Sequence, residues 1–172
     1  MVRKWTRSGD HLSFAYIDTI YAERKDSLKS FFVPQNEAFI GYLEKELKQK
    51  LDEHLQEAER DACMTLFAAL EAALRIDCRY CCDRRPKHDR ARRIRDIVSE
   101  TPKDSDVPLT KLIEVLDIPN KIKDSLRKFF LYRHWLAHGR YWKLQTGIPA
   151  IPGFVDVYEI AADIPDLLHK YS

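Results

Sequence analysis

No glycine occurs between Tyr42 and His138, and no proline between Gln35 and Arg85. A stretch this long without either breaker, rich in Leu, Ala, Glu, Lys and Arg, is driven to helix by propensity alone. Periodicity agrees. Leu43, Leu47, Leu51 and Leu55 recur every fourth residue, and Ala58, Ala62, Leu66, Leu70 and Leu74 continue the line. Lys45, Glu46, Lys48, Asp52 and Glu53 fill the other face, which makes the segment amphipathic. From Asn36 to Cys82 the pattern outruns an ordinary globular helix. It is either one long rod or two helices, and a pair bent or broken at the charged run Glu57–Asp61 is the expectation.

The flanks divide readily. A first helix is expected from Asp10, as N-cap, to Phe31, ending before Pro34. After Arg85-Pro86 a basic helix runs from Lys87 to Ser99, and Thr101–Pro108 is a loop. A short helix from about Thr110 to Leu116 follows, and Pro119 opens another that reaches Tyr141. Its apolar positions Ile122, Leu126, Phe129, Phe130 and Leu136 keep helical spacing. In the tail, Gly147, Pro149, Pro152 and Gly153 mark a loop, the β-branched and aromatic run Phe154–Ile160 suggests a short strand, and Asp163-Ile164-Pro165 starts a last helical turn. The expectation is one domain over residues 1–172, mainly all-α: an antiparallel helical bundle with a short irregular or β-containing C-terminal tail.

Apolar residues make up 45% of the chain and charged residues 33%, which argues against disorder. A net charge of +2 excludes a surface that is basic throughout. No apolar run is long enough for a membrane span, and Arg3, Lys4 and Arg7 are followed by Asp10 and His11 rather than by a signal sequence, so a cytoplasmic location is expected. Cys63, Cys78, Cys81 and Cys82 do not form a disulfide framework. Cys78-x-x-Cys81-Cys82 with His88 nearby is half of a zinc pattern, and buried small side chains are its default reading; neither metal nor cofactor is expected.

The helix opened by Pro119 ends in Arg133-His134-Trp135-Leu136-Ala137-His138-Gly139-Arg140. At about 100° per residue, His134 and His138 lie about 40° apart on one face, and Arg133 lies about 100° from His134, on the line that continues Ile122, Leu126 and Phe129 towards the core. Histidine titrates near neutrality and suits acid–base work. A guanidinium stays charged and grips phosphate oxygens. The ordinary alternative is a pair of histidines at a helix surface. Glu71 is the only charged residue between Ala62 and Leu74; it is either a site residue or an ordinary partner of Arg75, four positions on.

The segment Arg133–His138 resembles the Arg-x(4–6)-His motif of the HEPN family, with His134 in its polar slot, in the last core helix of an all-α chain, and Glu71 resembles the acidic residue that family often carries in an earlier helix. The resemblance covers roughly residues 61–140. It implies an RNA-cleaving enzyme of prokaryotic toxin or antiviral defence systems, working without metal, with two protomers forming one cleft. It further implies that His138 is the general base or acid, that Arg133 stabilises the phosphorane, that His134 orients His138 or is the second acid–base group, and that Glu71 fixes Arg133. The products would carry 2′,3′-cyclic phosphate and 5′-OH ends.

Between Asp83 and Arg95 seven basic side chains (Arg84, Arg85, Lys87, Arg90, Arg92, Arg93 and Arg95) face only Asp83 and Asp89. Such a cluster is suited to an RNA backbone, or is a solvated face meeting an acidic partner such as an antitoxin or another defence-system protein. Arg140 and Lys143 can add phosphate contacts and Tyr141 and Trp142 base stacking, although core packing is the commoner role for Trp142. Two rival readings remain. One is a non-catalytic module that binds nucleotide, RNA or protein through Arg133 and residues 84–95. The other is an interaction domain that dimerises through the Leu43–Leu55 stripe.

Overall fold

The breaker-free stretch folds as one helix. In the computed structural model, which describes residues 12–101, 107–140, 143–144 and 151–169, the 41 residues from Glu44 to Arg84 form an uninterrupted rod, α2. At 1.5 Å per residue it is about 60 Å long. It starts just after the turn at Gly41 (φ 89°), where the Leu43 N–H donates to Glu46 Oε2 at 2.9 Å. It stops at Arg85, whose left-handed φ of 50° precedes Pro86. The other helices are α1 (Phe14–Phe31), α3 (Asp89–Ser99), α4 (Leu109–Glu114), α5 (Asn120–Ala137), α6 (Phe154–Ala162) and α7 (Ile164–His169), with a 3-10 turn at Glu37–Phe39. Each of these α-helices packs against α2.

The break expected at Glu57–Asp61 does not occur. Those charges are instead the place where distant parts of the chain are tied to the rod. Glu57 accepts from Arg140 Nη1 at 2.7 Å and also pairs with Arg60. Glu59 Oε1 accepts from the Phe154 N–H at 3.0 Å, at the start of α6. Asp61 accepts from Arg24 of α1 at 2.8 Å. With neither Gly nor Pro in the run, outward-pointing charges leave the backbone ladder intact.

The apolar stripe of α2 is deepest in its second half, where Ala62, Leu66, Phe67, Leu70 and Leu74 are buried against Ile94, Ile113, Leu126, Phe129 and Val157. In the first half only Leu47 is fully buried before Ala58, and Leu43 is 68% exposed. The leucine stripe is therefore not a free dimerisation face throughout. Phe32, beyond the end of α1, lies against His54 (ring centroids 4.8 Å) and Phe39 (5.1 Å).

Two boundaries differ from expectation. Ser13, not Asp10, caps α1, its Oγ accepting from the Tyr16 N–H at 3.1 Å; Asp10 lies outside the described residues. The run Phe154–Ile160, expected as a strand, is the body of helix α6. Phe154, Val157 and Ala161 are buried along one helical face, and that tertiary burial overrides the strand preference of Val155 and Ile160. Its first turn is held by Glu59 and by Asp156, whose carboxylate accepts from the Gly153 N–H at 3.0 Å. Among the described residues there is no strand, and no helix is long and apolar enough to cross a membrane.

None of the four cysteines is in a disulfide, and among the described residues no three His, Cys, Asp or Glu side chains gather to hold a metal ion. Burial pushes the Cys63 thiol up to about 12, with Glu59 and Asp156 adding to it, and the Cys81 thiol up to about 11. The thiolate is the reactive form, so an aromatic disulfide reagent at pH 8 should label neither until urea unfolds the chain. Stoichiometric labelling of Cys63 in the folded protein would contradict this packing.

Candidate active site

Helix α5 buries Leu126, Phe129 and Tyr132 against the rod, with Tyr132 ring-to-ring against Phe67 at 5.9 Å. The next position, Arg133, leaves this face half-covered. Its Nη2 lies 3.2 Å from Glu71 Oε2 on α2 (side chains 35% and 19% exposed), and its Nε is buried without a hydrogen-bond partner. The other carboxylate oxygen, Oε1, accepts from Arg75 Nε at 2.9 Å. Glu71 thus bridges two guanidiniums, the Arg75 partner expected from helical spacing and Arg133 of α5. A guanidinium has five N–H donors. An ion pair through one nitrogen orients Arg133 and leaves donor capacity for an anion.

His134 and His138 are exposed on the adjoining face of α5, their ring centroids 4.2 Å apart and their planes at 58°. The one-turn spacing brings them into contact as expected. His138 stands at the helix terminus rather than within it: its N–H meets the His134 and Leu136 carbonyls. Gly139 (φ 70°) and Arg140 (φ 60°) then turn left-handed, with the Gly139 N–H on Leu136 O and the Arg140 N–H on Trp135 O at 3.1 Å. This terminating pattern ends the helix at Ala137 instead of Tyr141. A left-handed conformation at a non-glycine residue costs about 1–2 kcal/mol, and at Arg140 the side-chain bond to Glu57 helps hold it.

The Arg140 hydrogen bond, with the Arg60 pair beside it, holds the Glu57 carboxyl below its usual 4.5. A depressed carboxylate stabilises the fold above its unfolded pKa and loses that contribution as pH falls through the folded value. The latch is therefore complete at neutral pH and fades only below about 4.5. Both partners are largely exposed, so Glu57→Gln should cost only a few tenths of a kcal/mol. Its signature should be local: faster amide exchange at Arg140, with the core amides of Leu126 and Phe129 unchanged.

The basic segment separates into two groups. Arg84, Arg85, Lys87 and Arg92 are exposed. Arg90 is not a surface residue: its guanidinium, 2% exposed, donates twice to Asp77, at 2.6 and 2.8 Å. As an RNA contact it is thus corrected, because the buried Asp77 carboxylate draws it inward and occupies it. Arg93 is half-buried beside Asp89 (3.2 Å) and Asp117 (3.5 Å). Arg95 donates to the carbonyls of Cys81 and Pro86 at 3.2 and 3.1 Å, which tacks α3 onto the end of α2. Arg140 is exposed but engaged by Glu57, and Lys143 is exposed. Tyr141 and Trp142 lie outside the described residues.

Sequence reasoning missed Asp77 and Glu57. Asp77 carried a signal: a charge beside Leu74, Cys78 and Cys81 on a buried stripe requires a partner. Glu57 carried none, since its partner is 83 positions away. The chain matches no protein-family model, no curated protein and no solved structure.

Proposed function

We propose that the chain is a HEPN-type endoribonuclease that needs no metal, an antiparallel helical bundle acting in the cytoplasm as a toxin or antiviral defence effector. The observation that carries the reading is Arg133 held by Glu71 at 3.2 Å beside the exposed pair His134 and His138. RNA brings its own nucleophile. One imidazole, His138, takes the proton of a 2′-OH; the freed oxygen attacks the adjacent phosphorus; Arg133 stabilises the added charge on the phosphorane oxygens. The 5′-oxygen leaves with a proton from a second acid, a role assigned to His134, whose ring centroid is 4.2 Å from that of His138, and the products carry a 2′,3′-cyclic phosphate and a 5′-OH. Arg84, Arg85, Lys87 and Arg92, exposed at one end of the rod, supply backbone contacts. A homodimer whose two motifs share a cleft belongs to the same reading.

Incubation with total RNA in the presence of EDTA, followed by analysis of the ends, tests it. Cyclic phosphate ends from wild type, and none from a parallel preparation of His138→Ala, are expected. Ends bearing 5′-phosphate would refute the mechanism.

A second reading is favoured by the engagement of Arg133 with Glu71 and of Arg140 with Glu57. In it the chain is a non-catalytic HEPN-like module that binds RNA, nucleotide or protein. Filter binding that weakens steeply with salt, without cleavage at any salt concentration, would select it.

A further inference from the structure

Between the start of α5 and the α6–α7 pair lies a groove of about 410 Å³. Ile118, Ile122, Ile160 and Leu167, all half-buried, form its floor with Ile164 beneath. Its rim carries Asp117, Glu159, Asp163 and Asp166, and among the described residues no Lys, Arg or His lines it. Some of these acids have local reasons. Asp117 meets Arg93, and Asp163 and Asp166 sit where α7 begins. Glu159 has none of these: it is exposed in the middle of α6, where no helix end calls for a carboxylate. An aliphatic floor under a rim of a single sign, in a chain of net charge +2, is a surface with a definite complement.

We propose that this groove docks a cationic amphipathic segment of a partner protein, with aliphatic side chains on the isoleucine floor and Lys or Arg side chains against Glu159, Asp163 and Asp166. Helix-in-groove recognition uses this division of labour, with apolar anchors for affinity and charge for selection. The carboxylates repel nucleic acid, so an RNA is not the occupant of this groove. A polyamine would satisfy the rim and leave the floor wet. The basic stretch Arg84-Arg85-Pro86-Lys87 of a second copy carries charge but no aliphatic side chain to cover the floor. An amphipathic helix meets both requirements.

The probe is a fluorescein-labelled peptide of Leu and Lys at helical spacing, titrated with the full chain and followed by anisotropy at low salt. A Leu/Glu peptide of the same pattern and spermine serve as comparisons. The Leu/Lys peptide should bind, weaken with added salt, and lose about ten-fold in affinity in a Glu159→Lys/Asp166→Lys variant. A Glu159→Gln/Asp166→Asn variant should fall between, and serves where charge reversal disturbs folding by circular dichroism. Equal binding to wild type and both variants, or no binding, would overturn the assignment. So would displacement of the peptide by spermine at equal charge concentration, since that makes the site a simple cation sink. If Arg3→Gln/Lys4→Gln/Arg7→Gln, which neutralises the basic N-terminal segment, raises the peptide's affinity, the occupant is the chain's own segment and the partner assignment fails.

Discussion

His138→Ala should lower RNA cleavage by about 10²- to 10⁴-fold, the contribution of one positioned acid–base group. Helical content and the unfolding midpoint should barely move, because the imidazole is exposed at the terminus of α5. Arg133→Ala should be comparably severe in rate but should also disturb Glu71, which would lose one of its two described guanidinium partners. Arg133→Lys separates the roles: an ammonium can pair with Glu71 but cannot offer the planar fork that suits phosphate. The measurement is single-turnover cleavage of a labelled RNA beside thermal unfolding of each variant. His138→Ala cutting as fast as wild type would remove the acid–base assignment. Loss of cutting only alongside loss of folding would leave the residue a structural part and withdraw its chemical role.

Asp77→Ala should be the most destabilising single change outside the apolar core. The Asp77–Arg90 pair is 9% and 2% exposed and bidentate. Removing one member of a buried pair strands the other charge, at a cost of about 3–5 kcal/mol. A chain of this kind is stable by only about 5–15 kcal/mol in total, so the urea midpoint should drop sharply. A double replacement, Asp77→Leu with Arg90→Met, should recover most of the loss, since apolar side chains of similar volume carry no desolvation penalty. An Asp77→Ala variant within about 1 kcal/mol of wild type would show that solvent reaches the pair. RNA affinity, by contrast, should not depend on Arg90 beyond its effect on folding.

Much of the architecture was legible because it rests on short-range pattern. The leucine and alanine spacing and the missing breakers specify α2, and Pro119 marks the start of α5. The contact between His134 and His138 follows from helical pitch alone. What could not be read depends on partners distant in sequence. The charged run Glu57–Asp61 looked like a weak point because its hydrogen-bond partners, Arg24, Arg140 and the Phe154 N–H, belong to other helices or their flanks. In Phe154–Ile160, strand preference and a helical burial face share the same residue types, and only packing on α2 decides between them. Arg90 looked like one basic residue among seven until Asp77 claimed it.

Every other α-helix leans on α2. A central pillar shared by all its neighbours couples them: separating any one element uncovers part of the rod's single buried stripe. Such a molecule should melt in a single cooperative step, and a protease that finds one opening in the pillar should degrade the remainder without a lasting fragment.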